Sequence, residues 1–278
     1  MSGEARNSPA RGEGRTSPAS AEGTVSLAVA GPIATLTFDR PAARNAMTWA
    51  MYEQLAAHCE ALASRAAEVR VVVMRGAGGQ AFVAGTDIAQ FKHFEGGDDG
   101  VAYERRIDAG IGLVEQLPMP TLAVVDGWAV GGGLAIATAC DFRIATPGAR
   151  FGVPIARTLG NTLSSLNFAR LRAAWGLQPV RRMLLLAQII GADEALACGF
   201  LEQVCAAEEL DAAVSALCAR LGALAPVTQA AAKEALRRGT AQGAPDTDDL
   251  VRRCYGSSDF REGVDAFEAG RPPAWQGR

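Results

Sequence analysis

Three consecutive glycines, Gly131-Gly132-Gly133, stand between an apolar run, Thr121 to Val125, and an Ala/Leu/Ile-rich stretch that begins at Leu134. The run reads as a buried strand and the stretch as a buried helix. A glycine triplet carries a heavy entropic penalty unless the backbone needs its freedom. At a helix start the first N–H groups have no intrahelical acceptor and lie at the positive end of the helix dipole. A strand, a glycine turn and a helix start therefore offer main-chain donors to an oxyanion or a phosphate. The same glycines would equally let a helix pack tightly on a strand, and by themselves they do not separate the two readings.

Other chemistries find little material. The chain has two histidines, His58 and His93, so neither a zinc-ligand spacing nor a His-centred triad is present. The six cysteines are scattered without a C-x-x-C pair and read as small buried hydrophobes in a reducing compartment. A net charge of −3 and the lack of a basic patch argue against a nucleic-acid partner. No apolar run is long enough to span a bilayer. The expected location is cytoplasmic, with no membrane partner.

The elements that must position the glycines follow from periodicity. Residues 1–23 are rich in Ser, Pro, Gly, Ala and Arg and read as a disordered tail. Val25–Ala30 and Ile33–Asp39 flank Gly31-Pro32 as a hairpin. Thr48 is placed to cap a helix running to about Ala67. Val69–Met74 is a buried strand, followed by a glycine-rich loop over 76–79 and by Ala81–Ile88, which enters a short helix. Residues 92–100 read as a mobile loop or lid, with His93 and Glu95 on it, and a helix covers roughly 101–117. Beyond the glycines, Phe142–Ala145 and Arg150–Gly152 are short strands, Asn161–Trp175 and Pro179–Ala187 are helices, and the chain is mostly helical from Asp193. The expectation is an α/β core over 24–205 with a C-terminal helical region over 206–278.

Six segments, in order, resemble one family. Phe38-Asp39-Arg40-Pro41 with Arg44-Asn45-Ala46-Met47 resembles the R-P-x-x-x-N-A-[LM] signature of the crotonase (enoyl-CoA hydratase/isomerase) superfamily. Ala81–Ile88 resembles its F-x-A-G-x-D-[LI] segment, and Pro120–Asp141 the segment that contains G-G-G. Arg150–Pro154, Asp193–Val204 and Ser257–Pro273 resemble the remaining three. The resemblance implies a ββα superhelix whose C-terminal helical region trimerises, as a homotrimer or a dimer of trimers. It implies an acyl-CoA thioester substrate, coenzyme A arriving as part of it, and no permanently bound cofactor or metal. By the same resemblance the amides of Thr86 and Gly132 hold the thioester oxygen. Ala42, Ala43, Arg44, Ala84, Asp87 and Ile88 then meet the coenzyme A moiety, Gly131 beside them, and Asp141 is structural.

The chain departs from the family's hydratases at two positions. They carry one glutamate two residues after G-G-G and another after the Pro of F-G-x-P, where this chain has Ala135 and Ile155. Neither side chain can move a proton. A positioned acid or base typically contributes about 10²–10⁴-fold, so standard hydration would be badly impaired. The segment after Ile155 also differs, and its polar candidates for touching ligand are Arg157, Asn161 and Ser164, while Thr162 is placed to cap the helix to Trp175. Three readings follow: an enoyl-CoA hydratase/isomerase-type enzyme with other residues handling the proton, a decarboxylase or thioesterase on the same oxyanion hole, or a catalytically inactive acyl-CoA-binding trimer.

Overall fold

The computed structural model describes residues 22–242, 244 and 246–278; the tail expected over 1–23 lies, up to residue 21, outside them. β1 (Thr24–Ala30) and β2 (Ile33–Asp39) form the expected antiparallel hairpin. α1 (Trp49–Ala63) is capped by Thr48, whose hydroxyl accepts the Met51 N–H at 3.2 Å, and it ends four residues earlier than the sequence suggests. β3 (Val71–Gly76) and β4 (Ala81–Ala84) follow, then α2 (Gly97–Gln116).

The helical start at Gly97 corrects the loop expected through residue 100. Asp99 accepts the N–H groups of Glu95 and Gly96 and so caps the helix. Its glycines are there for packing: a Cβ at Gly97 would lie 2.2 Å from the Arg252 carbonyl, and one at Gly100 2.2 Å from the Tyr255 ring.

β5 (Thr121–Val125) belongs to a six-stranded sheet of order β1-β2-β3-β5-β7-β10, in which every pair after the hairpin is parallel. β6 (Trp128–Val130) leaves that sheet for a second one of order β4-β6-β8-β9. The glycine triplet therefore follows not the buried run itself but this second short strand, and α3 (Gly132–Ala139) starts from it. Gly127, at φ +83°, makes the crossing, and a Cβ there would lie 2.0 Å from the Gln80 carbonyl.

β7 (Phe142–Ala145) and β8 (Arg150–Gly152) fall where expected. α5 (Ser165–Trp175) starts four residues later than the helix expected from Asn161, and a short helix the sequence did not suggest, α4 (Ile155–Thr158), precedes it, with Gly160 at φ +69° turning the chain between them. α6 (Leu177–Leu185), β9 (Ile190–Gly191), α7 (Ala192–Ala197) and β10 (Gln203–Val204) complete the second sheet and return to the first. α8 (Leu210–Gly222), α9 (Pro226–Gln242), α10 (Asp248–Tyr255) and α11 (Ser258–Glu268) form the helical C-terminal region.

Alternating residues of the first sheet serve two cores. Val72, Met74, Ala123 and Val125 face the main core. Val71, Val73, Leu122 and Val124 face a smaller one, closed by Leu210, Leu217, Cys218 and Leu221 of α8. Burial on both faces explains the unbroken apolar runs of β3 and β5. Val251, Tyr255, Phe260 and Val264 of the last two helices lie in the main core. The cysteines form no disulfide, and burial pushes Cys59 and Cys140 up to about 12. Among the described residues no single helix is long and apolar enough to cross a membrane.

One buried side chain shapes the loop before α1. Asn45, fully buried at φ +59°, accepts the Arg40 N–H at 2.8 Å and donates to the carbonyls of Ala77 and Ala81 at 2.9 and 2.8 Å. It ties residues 40–45 to the end of β3 and the start of β4. Asn45→Ala strands three backbone groups and should destabilise the protein by about 3 kcal/mol in urea unfolding. A change below about 1 kcal/mol would mean that water or the backbone replaces those bonds.

Candidate active site

The register of the second sheet builds the site. Ala84 of β4 pairs with Val130 of β6 in a parallel ladder. Two residues further along each chain, Thr86 and Gly132 leave the sheet side by side, at the carboxyl ends where open parallel sheets place ligands. The next segments are close: a Cβ at Gly131 would lie 3.6 Å from the Gly85 Cα.

Neither main-chain N–H has a hydrogen-bond acceptor among the described residues. Thr86 forms an isolated parallel bridge with Met47, in which Met47 N–H donates to Gly85 O and Asp87 N–H donates to Met47 O, each at 2.9 Å. A parallel bridge uses the peptide groups flanking Thr86, so its own N–H faces the other way. Gly132 opens α3, where an N–H has no intrahelical acceptor. The three glycines have separate duties. Gly131 adopts φ +53° and ψ −122°, which only glycine takes without strain. Gly133 packs its helix on β4, where a Cβ would lie 1.9 Å from the Val83 carbonyl. At Gly132 a Cβ would stand 2.5 Å from the Tyr52 hydroxyl and 3.1 Å from Thr86 Oγ1.

These two residues open on a cavity of about 680 Å³, within the usual size of small-molecule sites. Ala42, Ala43, Arg44, Ala84, Asp87, Ile88 and Gly131 line it, as do Arg157 and Asn161. Arg44 and Arg157 are exposed. Asp87 is bound to Arg40 at 2.8 Å and accepts the Ala89 N–H, so its carboxylate holds the loop. Asn161 donates to Tyr255 Oη at 3.0 Å, and its buried Oδ1 has no partner among the described residues. Ala135 and Ile155 face the same cavity.

Ser164 does not line the cavity. Its hydroxyl accepts the Asn167 N–H and caps α5, the task expected of Thr162. The cap moves because the helix starts four residues later than its sequence suggests. His93 and Glu95 are exposed and away from the cavity. Asp141 accepts from Thr121 N and Oγ1 and pairs with Lys233 at 2.7 Å, joining β5 to α9.

Sequence reasoning missed the polar residues on the α1 and α2 side. Thr86 Oγ1 shares a hydrogen with Tyr52 Oη at 2.8 Å and accepts from Tyr103 Oη at 3.0 Å. Burial pushes Tyr52 up to about 12 and Tyr103 well above its ordinary value, so both phenols stay protonated. Glu104, 4% exposed, also lines the cavity. Its Oε1 accepts from Tyr255 Oη and its Oε2 from Ser164 N–H, both at 2.8 Å. Next along the wall Arg170, 3% exposed at its side chain, pairs with Asp108 and Glu115 at 2.8 Å. The signal was present: Tyr103, Glu104, Ile107, Ile111 and Val114 form one inward stripe at helical spacing.

The family model described as enoyl-CoA hydratase/isomerase matches residues 29–278. The chain is 32% identical to the short-chain-enoyl-CoA hydratase of Clostridium acetobutylicum over 245 residues, 85% of this chain and 91% of that protein. A solved enoyl-CoA hydratase/carnithine racemase from Magnetospirillum magneticum is 31% identical, with a TM-score of 0.74, over 91% of this chain and 96% of its own. A methylmalonyl-CoA decarboxylase solved with 2-nitronate-propionyl-CoA is 26% identical, with a TM-score of 0.82, over 91% and 98%.

Burial, partly offset by the Tyr255 and Ser164 hydrogen bonds, lifts the Glu104 carboxyl from 4.5 to about 7. A carboxyl raised on folding holds its proton more tightly in the native than in the unfolded protein. Its contribution is therefore full below about pH 4.5 and is lost as pH rises through about 7. The difference is about 3 kcal/mol. Glu104→Gln, neutral throughout, should remove this component, so its stability relative to the unsubstituted chain should rise between about pH 5 and about pH 8 in urea unfolding. Parallel stability curves for the two proteins would place Glu104 in a solvated environment.

Proposed function

Because the chain belongs to the enoyl-CoA hydratase/isomerase family, we propose that it binds an acyl-CoA thioester in this cavity and stabilises charge on the thioester oxygen with the amides of Thr86 and Gly132. The observation that carries the reading is the pair of unspent N–H groups leaving adjacent parallel strands in register. An enolate or tetrahedral intermediate puts negative charge on that oxygen. Two preorganised donors in a poorly solvated site stabilise it more than they stabilise the neutral carbonyl.

The coenzyme A moiety runs past Ala42, Ala43 and Arg44 and along Ala84, Asp87 and Ile88, with Arg44 and Arg157 at the surface to meet its phosphates. Asp87 contributes through its backbone, since its carboxylate is paired with Arg40. Coenzyme A comes and goes with the substrate. The acyl group extends between Gly132, Ala135 and Ile155 toward Leu163 and Ile107, an apolar lining suited to a hydrocarbon chain.

Ala135 and Ile155 set the reaction apart from glutamate-assisted hydration. A proton shift on the enolate needs the oxyanion donors and a single acid–base group. Decarboxylation, the reaction named for one structural neighbour, needs no proton acceptor for the bond it breaks. A binding role without turnover is favoured by the same two side chains. Exposed Leu185, Leu186, Val227 and Leu236 support self-association as a homotrimer or a dimer of trimers.

Mixing the protein with a 2-enoyl-CoA and following the conjugated thioester absorbance tests the reading. Gly132→Pro removes one donor, but its Cβ would meet the Tyr52 hydroxyl while the ring carbon bearing it lies 3.8 Å away. The comparison is therefore made in a Tyr52→Phe background, where Gly132→Pro should lower turnover by about 10²–10³-fold and leave coenzyme A affinity in place. Unchanged turnover would remove the amide from the chemistry. Tight acyl-CoA binding without turnover across a panel of chain lengths would establish the binding role. Ala135→Glu combined with Ile155→Glu should raise hydratase activity; a folded, binding-competent but inert double variant would show that water has no place in this pocket.

A further inference from the structure

The cavity wall holds one carboxyl without a cation beside it. Glu104, Asp108 and Glu115 project from α2, and Arg170 takes the latter two. Glu104 is left with uncharged donors, the Tyr255 phenol, the Ser164 main-chain amide and the Asn167 side chain. A carboxylate offers about four acceptor sites, so these donors leave one open, and the residue borders the cavity. Tyr103, the residue before it, donates to Thr86 Oγ1, so the turn of α2 that carries the carboxyl also reaches the Thr86 side chain.

We propose that Glu104 is the proton-transferring catalytic residue of this chain, and that it carries a proton between the α- and γ-carbons of a bound 3-enoyl thioester. The assignment rests on the acyl-CoA reading above. In the forward step a Glu104 oxygen takes the proton from the carbon next to the thioester carbonyl. The C–H electron pair becomes the enolate double bond, and the carbonyl π pair moves to the oxygen held by Thr86 and Gly132. In the return step the enolate pair moves back along the conjugated chain. The γ-carbon takes the proton from the Glu104 carboxyl, which restores the carboxylate and yields the 2-enoyl thioester. Nothing is added or lost, so one carboxyl suffices where water addition would need a second group at Ala135 or Ile155. Tyr255 and Asn161 act as positioning residues, Asn161 donating to Tyr255 and Tyr255 to Glu104.

The groups around Glu104 leave it as the titrating one. Tyr103 and Asp108 face it from its own helix, Tyr52 from α1, Asn167 from α5 with its Oδ1 bound to Arg170, Tyr255 from α10, and Ser164 from the segment before α5. Burial holds the three phenols well above neutrality, and Asp108 is bound to Arg170.

Exchange of the α-protons of butyryl-CoA in deuterium oxide, read by mass spectrometry, tests the assignment on the full chain. The unsubstituted protein should incorporate deuterium at the α-carbon, at a rate that rises with pH through about 7 as the carboxylate forms. Glu104→Gln should lower exchange by about 10²-fold or more with butyryl-CoA affinity retained. Tyr255→Phe removes a donor that favours the carboxylate, so its rate should rise at higher pH than the unsubstituted protein's. Exchange in folded Glu104→Gln at the unsubstituted rate overturns the assignment. If that variant does not fold, a flat pH profile or an unmoved Tyr255→Phe profile overturns it. Binding without exchange in the unsubstituted protein overturns this assignment alone, whereas no binding of butyryl-CoA overturns the acyl-CoA reading and this assignment with it.

Discussion

The bridge between Met47 and Thr86, two hydrogen bonds of 2.9 Å, decides which way one peptide group faces. Met47 occupies the inner edge through the residues on either side of Thr86, and Thr86 is left to present its N–H to the opposite side. Rotating that peptide would break the bond its Gly85 carbonyl accepts from Met47. On the other flank the ladder from Ala84 to Val130 sets Gly132 beside it, and the φ of Gly131 turns the chain into α3 at once. The direction of two donors is thus a consequence of backbone pairing, with no side chain needed to aim them.

Side chains decide what surrounds those donors. Asn45 holds the loop that carries Ala42, Ala43 and Arg44 against β3 and β4. Tyr52 and Tyr103 converge on the Thr86 hydroxyl. The walls at Ala135 and Ile155 are aliphatic, while Glu104 borders the cavity from α2. Low polarity strengthens each remaining electrostatic contact and raises the proton affinity of any carboxyl without a cation. Glu104 and Asp108, one helical turn apart, are both raised by burial; Arg170 partly offsets it at Asp108, whereas Glu104 has only neutral donors.

The helical C-terminal region takes part in the site. Tyr255 reaches Glu104 from α10, and Gly97 and Gly100 let that helix approach α2 closely. Arg170 joins α2 to α5 through two carboxylates. A buried arrangement of this kind is destabilised strongly when one partner is removed, so this wall of the cavity is also a structural joint.

Much of this was legible from residues alone. The hairpin around Gly31, the Thr48 cap, the short strands at Phe142 and Arg150 and the α/β class follow from local pattern, since turn chemistry and side-chain period act over a few residues. The placement of Ala84, Asp87, Gly131 and Gly132 along one cavity agrees with the order of the motifs that contain them. The start of α2 at Gly97, the jump of β6 to a second sheet and the cap at Ser164 were hidden. Each depends on a segment distant in sequence: α10 against Gly97 and Gly100, Gln80 against Gly127, Glu104 beneath Ser164. Local sequence determined that the glycine triplet would open a buried helix with free main-chain N–H groups. Only the tertiary structure decided that Glu104 is buried without a cation, because proton affinity depends on every charge and dipole within a few ångströms, and those come from four separate elements.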